Sequence, residues 1–112
     1  MKRNTTPVLP IKINMPFENV TRIEFIFKKN ASEYATTLLH KVFEDEIPVR
    51  DGDTSEGFIV DVRLTAEETM RLTVGEVYMD TRIVLTDNLI PATKIVKIDV
   101  KETLFREVYR SD

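Results

Sequence analysis

Apolar and polar residues alternate along most of this chain, and the alternation is that of strands with one buried face. In "VTRIEFIFKK" (20–29), Ile23, Phe25 and Phe27 fall on one side and Arg22, Glu24 and Lys28 on the other, with Ile26 as the exception. "FIVDVRL" (58–64) alternates strictly through Phe58, Val60, Val62 and Leu64. "EVYMDTRIVL" (76–85) opposes Val77, Met79 and Ile83 to Tyr78, Asp80 and Arg82, and "ATKIVKIDV" (92–100) opposes Val96, Ile98 and Val100 to Lys97 and Asp99. Three further segments carry weaker patterns. "PVLPIKI" (7–13) fits an edge strand, since Pro7 and Pro10 each remove a ladder donor. "EYATTLLHKVFE" (33–44) is rich in aromatic and β-branched residues and is also predicted as strand. "ETLFREVYR" (102–110) reads either as a helix with Leu104, Phe105 and Val108 on one face or as a last strand, and the strand is favoured.

One stretch breaks the alternation. In "LTAEETMRLTVGE" (64–76), Thr65 stands where a helix N-cap belongs and Glu68, three residues on, completes the pattern of a capping box. Glu67 and Arg71 are spaced for an i,i+4 ion pair, Ala66 and Met70 share a face that can rest on a sheet, and Gly75 is a plausible stop. Two helical turns at most fit over 65–72, too few to be stable without the flanking strands. The segment is therefore predicted to carry the chain across the end of a sandwich from one sheet to the other. Residues 45–57, with Pro48, Gly52 and Gly57 among clustered acids, form the one long loop, and "TDNL" (86–89) is a turn.

About seven short strands with turn signals between them predict an all-β protein built as an antiparallel β-sandwich, with a small barrel as the alternative. Residues 7–112 read as a single domain, and the polar residues 1–6 as a flexible N-terminal arm able to order on a partner.

Composition narrows the chemistry. A chain of 112 residues can bury roughly two-thirds of the surface it exposes when unfolded, enough to fold without staples. It has no cysteine, which removes disulfides, thiolate metal sites and cysteine nucleophiles. The net charge of −3 offers no basic field for nucleic acid, and no apolar run approaches the ~20 residues of a membrane span. With no hydrophobic core of a signal peptide behind Lys2-Arg3, the protein is expected to stay in the producing cell unless an assembly carries it out.

Candidate sites fare poorly one by one. Glu44, Asp45, Glu46, Asp51, Asp53 and Glu56 crowd the long loop, but "DGDTSE" fails as an EF-hand: its sixth and twelfth positions are Glu56 and Val62 where Gly and Glu are needed. A solvated hairpin loop is the plainer reading. His40 is the single histidine, so no multi-histidine metal site exists, and a catalytic triad would need Ser32, Ser55 or Ser111 to reach it. Three glycines leave no phosphate-binding loop. Lys28, Lys29, Lys94, Lys97 and Lys101 could line up as a basic stripe, but a solvated strand face is the better reading, and the sequons at 4–6, 19–21 and 30–32 read as chance. No catalytic, cofactor-binding or metal residue is assigned, and no small-molecule substrate, nucleic acid or membrane is expected as a partner.

The run "GFIVDVRLTAEETMRLTVGEVYMDTRIVLTDNLIPATKIVKIDVKETL", with the earlier "TRIEFIFKK", resembles small all-β proteins of tailed phages and prophages of Gram-positive bacteria. It is similar in style to the immunoglobulin-like N-terminal domain of phage baseplate upper proteins. The likeness spans roughly residues 20–104 and rests on the "LT-x-EET-x-x-L" connection and the "G-x-V-x-x-x-x-R-I" strand that follows it. It implies an immunoglobulin-like sandwich and a non-enzymatic virion structural or assembly protein of tail, baseplate or head. Such a protein is made in the bacterial cytoplasm and binds copies of itself or neighbouring phage proteins. A soluble phage-encoded binding module or inhibitor, docking an acidic face on a host protein through the 44–56 loop, is the alternative.

Overall fold

Side chains of alternate residues point to opposite faces of a strand, so each alternating run above can pack one row against a second sheet. The computed structural model describes residues 1–108, and there the runs become β1 (Val8–Ile13), β2 (Val20–Lys28), β3 (Thr37–Phe43), β4 (Phe58–Arg63), α1 (Ala66–Met70), β5 (Gly75–Leu85) and β6 (Val96–Val100). All strand pairings are antiparallel. β1 and β4 form a two-stranded sheet; β3, β2, β5 and β6, in that order, form a four-stranded one.

The inward rows of both sheets make a single core. Ile23, Phe25 and Phe27 of β2 and Val77, Met79 and Ile83 of β5 meet Phe58, Val60 and Val62 of β4, all buried. Ring packing closes the ends: Phe25 meets Phe43 edge-on at 6.0 Å, and Phe17, in the β1–β2 connection, meets Phe58 at 5.1 Å. An all-β sandwich is thus the architecture, with six strands rather than about seven.

The missing strand is the last. Residues 102–108 pair with no edge; Thr103–Phe105 form a bend in which Phe105 N–H donates to Thr103 Oγ1 at 3.2 Å. Tyr109 and Arg110, the end of the expected segment, lie outside the described residues. The edge that such a strand would extend is already taken near Lys101. There Lys2 forms a parallel bridge with Lys101, Lys101 N–H donates to Met1 O at 2.6 Å, and Arg3 N–H donates to Lys101 O at 2.9 Å. Residues 1–5, read from sequence as part of an arm, lie along this end of the sandwich. β3 and β6 are also shorter than expected: 33–36 turn around hydrogen bonds from Ser32 N–H to Asn30 Oδ1 (3.2 Å) and Tyr34 N–H to Ser32 Oγ (3.2 Å), and 92–95 join no ladder.

The crossover follows its cap. Glu68 N–H donates to Thr65 Oγ1 at 3.1 Å and Thr65 N–H to Glu68 Oε1 at 2.8 Å, a complete capping box. β4 before it belongs to the small sheet and β5 after it to the large one. The helix ends sooner than Gly75, at the Arg71 C-cap; Gly75 instead opens β5 with φ of 105°, a left-handed conformation that a side chain would strain. Its buried contact is Thr69, whose hydroxyl lies 2.9 Å from Ala66 O and 3.3 Å from Thr5 O. Arg3 adds a guanidinium bond to Met70 O at 2.9 Å, so helix and N-terminal segment brace one another.

Candidate functional site

The most concentrated charge lies on the outward face of the four-stranded sheet. Register places Glu24 opposite Arg82 on β5 and next to the Ile26–His40 pair shared with β3. One carboxylate oxygen of Glu24 takes bonds from Arg82 (Nε 2.8 Å, Nη2 2.8 Å) with Arg22 Nε at 3.3 Å; the other meets His40 Nε2 at 2.9 Å. The Glu24 side chain is only 5% exposed although it faces outward, because these cations lie over it. The Arg82 bond holds its carboxyl down to about 2 against the opposing pull of burial, with His40 and Arg22 adding to the effect. Arg82, His40 and Arg22 all reach Glu24, with Arg22 also pairing with Glu44, which makes the cluster a clasp across three strands. A hollow of about 180 Å³ beside it, lined by Ile26, His40, Asp80, Thr81 and Arg82, brings no serine to the imidazole. Ser32 Oγ accepts from Tyr34 N–H and Ser55 N–H donates to Asp53 Oδ1, and neither serine lines this hollow; Ser111 lies outside the described residues.

Most of the acidic loop's charge is left standing: of Glu44, Asp45, Glu46, Asp51, Asp53 and Glu56, Glu44 alone is in an ion pair among the described residues. Arg50 binds Asp61 through both Nε (3.1 Å) and Nη2 (2.7 Å), Arg22 pairs with Glu44, and the backbone at 48–50 hydrogen-bonds the free side of β4. Among the described residues no three carboxylates or imidazoles converge as metal ligands. The lysines weighed as a basic stripe have separate partners: Lys28 donates to Glu33 O, Lys97 lies over the Tyr78 ring at 5.8 Å, and Lys101 pairs with Asp99. Among the described residues no helix is long and apolar enough to cross a membrane.

What the fold leaves open is an edge and a groove. Leu64 N–H donates to Pro7 O at 3.0 Å, which fixes the odd-numbered residues of β1 as those bonded to β4. Val8, Pro10 and Lys12 therefore turn their backbone groups to the open side, where Pro10 has no donor to offer. Below this edge two strands fail to cover four, and a groove of about 420 Å³ remains between β1 and β5, lined chiefly by Ile11, Ile13, Met15, Ile83, Pro91 and Val96. Lys12 and Lys94 border it, and neither is ion-paired among the described residues. The polar groups that would fix a small ligand are few, since the Thr93 hydroxyl is engaged with Thr81 O. The outer edge of β3 is a second open edge, with Val42 41% exposed.

No family model, curated protein or solved structure matches the chain. Sequence reasoning found the strands that line the groove and missed the groove itself, whose signal is a count of strands per sheet rather than any residue motif. It also missed the Glu24 clasp: Arg22, Glu24, His40 and Arg82 are all visible as polar positions, but nothing in the sequence says that β2 lies between β3 and β5.

Proposed function

We propose that this chain is a non-enzymatic structural or assembly protein of a tailed-phage virion, working through contacts with copies of itself or with neighbouring proteins of the particle. The observation that carries the reading is the pairing of an open β1 edge with an apolar groove directly beneath it. Main-chain bonds along an edge supply affinity and a groove supplies side-chain selection, which is how strand addition recognises a partner. The resemblance of roughly residues 20–104 to phage sandwich domains supports the setting. An acidic docking face on the 44–56 loop is the second reading: Arg22 pairs with Glu44, while Arg50 is spent on Asp61 of β4 and leaves the other loop acids without an ion pair among the described residues.

The test is to purify particles from a producing host on a density gradient and identify their proteins by mass spectrometry. The chain is expected in the particle fractions at a fixed ratio to the other structural proteins. Recovery only from the soluble fraction, bound to a host protein, would replace the virion reading with that of an inhibitor.

A further inference from the structure

The groove between β1 and β5 has a counterpart on the same molecule. Leu104 and Phe105 stand on the bend after β6, 98% and 74% exposed, two large apolar side chains with nothing packed on them. Two adjacent apolar side chains this exposed offer a surface that a partner could cover.

The two features lie at opposite ends. Val100 pairs with Gly75 at the start of β5, whereas the groove is lined by Thr81 and Ile83, roughly 20 Å further along that strand at ~3.4 Å per residue. The tail is also tied at its own end: Arg3 binds Glu102 at 3.0 Å, and Asn4 Nδ2 donates to Glu107 O at 2.8 Å. A molecule cannot fill its own groove with its own tail; a second copy can.

We infer that Leu104 and Phe105 of one copy seat in the groove between β1 and β5 of the next, joining molecules head to tail. The bend at Thr103–Phe105 breaks strand alternation and presents the two side chains together, while the backbone of Lys12 remains free to bond the incoming chain. Pro10 limits how far such pairing can run along β1. A contact between two different surfaces is heterologous, so it propagates into a ring if the rotation closes and into a filament if it does not. This rests on the assembly reading above and names its partner, a second copy of the chain.

Two variants of the full chain test it: Leu104→Ser with Phe105→Ser, which removes the tail anchor, and Val96→Lys, which charges the groove at a residue already 42% exposed. Circular dichroism melts establish that both fold. In sedimentation velocity the wild-type mass is expected to climb past that of a dimer with concentration. Each variant alone is expected to stay monomeric, with association weakened roughly tenfold or more. Mixed together, the two are expected to form a dimer and stop there, because one supplies the only intact groove and the other the only intact tail. A wild-type protein that stays monomeric throughout, or a tail variant that associates as the wild type does, overturns the inference. If that monomer still co-purifies with particles, the virion reading stands without it. If the wild type associates as expected but is absent from particles, the virion reading fails and the head-to-tail contact stands.

Discussion

Glu24 and Arg82 face each other across β2 and β5 at one register position, with Arg82 Nε 2.8 Å from Glu24 Oε2. A carboxylate 5% exposed on the outside of a sheet survives there only because Arg82, His40 and Arg22 supply the bonds that water would. Its folded pKa, about 2, lies below the ordinary value of 4.5. Stability from this group is therefore complete above the unfolded value and lost as pH falls from about 4.5 toward 2. The drop corresponds to about 1–3 kcal/mol once screening through the half-exposed partners is allowed for. Urea unfolding of the wild type and Glu24→Gln is expected to differ by that amount at pH 7 and to converge near pH 2. A difference that stays constant with pH would assign the loss to packing instead.

The capping box gives a second expectation. Thr65→Ala removes the acceptor for Glu68 N–H and is expected to cost ~0.5–2 kcal/mol in thermal or urea unfolding. Self-association per folded molecule is expected to be unchanged, since Thr65 neither lines the groove nor bonds the Thr103–Phe105 bend. Loss of association at unchanged melting temperature would give the crossover a role beyond structure.

Gly57 is set by space rather than by conformation. A Cβ there would sit 3.0 Å from the Ile13 carbonyl oxygen, against backbone that is already paired through Ile13 and Phe58. Gly57→Ala is expected to destabilise by about 1–3 kcal/mol, read from the urea midpoint, by prising β1 from β4.

Pro10 blunts the open edge of β1. Pro10→Ala restores a backbone donor there and is expected to raise aggregation on heating, measured by light scattering at matched concentration. No change in scattering would mean that this edge is protected by something other than its missing N–H.

How much of this was legible in the sequence differs by element, for physical reasons. β4 and β5 were readable because each buries one full row, Phe58, Val60 and Val62 in the first and Val77, Met79, Thr81 and Ile83 in the second, with Ile59 the apolar exception on the outward side of β4. The α1 cap was readable because Thr65 and Glu68 satisfy each other locally, with no help from the rest of the chain. Tyr34 misled, since its β-forming character was spent on a loop where it is 90% exposed. Leu104, Phe105 and Val108 misled in the same way: the segment has strand-like residues but no free edge to join, because Lys2 occupies the place beside Lys101. The groove and the Glu24 clasp depend on strand order, which alternation within a strand does not encode.

Hydrogen exchange by mass spectrometry, comparing the free chain with the chain in purified particles, addresses most directly the claim that function resides in the groove, its edge and the tail. Slower exchange is expected in peptides covering 8–15, 91–96 and 102–108, with the already protected β2 unchanged. Protection confined to 44–57, with those three segments exchanging as in the free chain, would contradict the account and move the contact to the acidic loop.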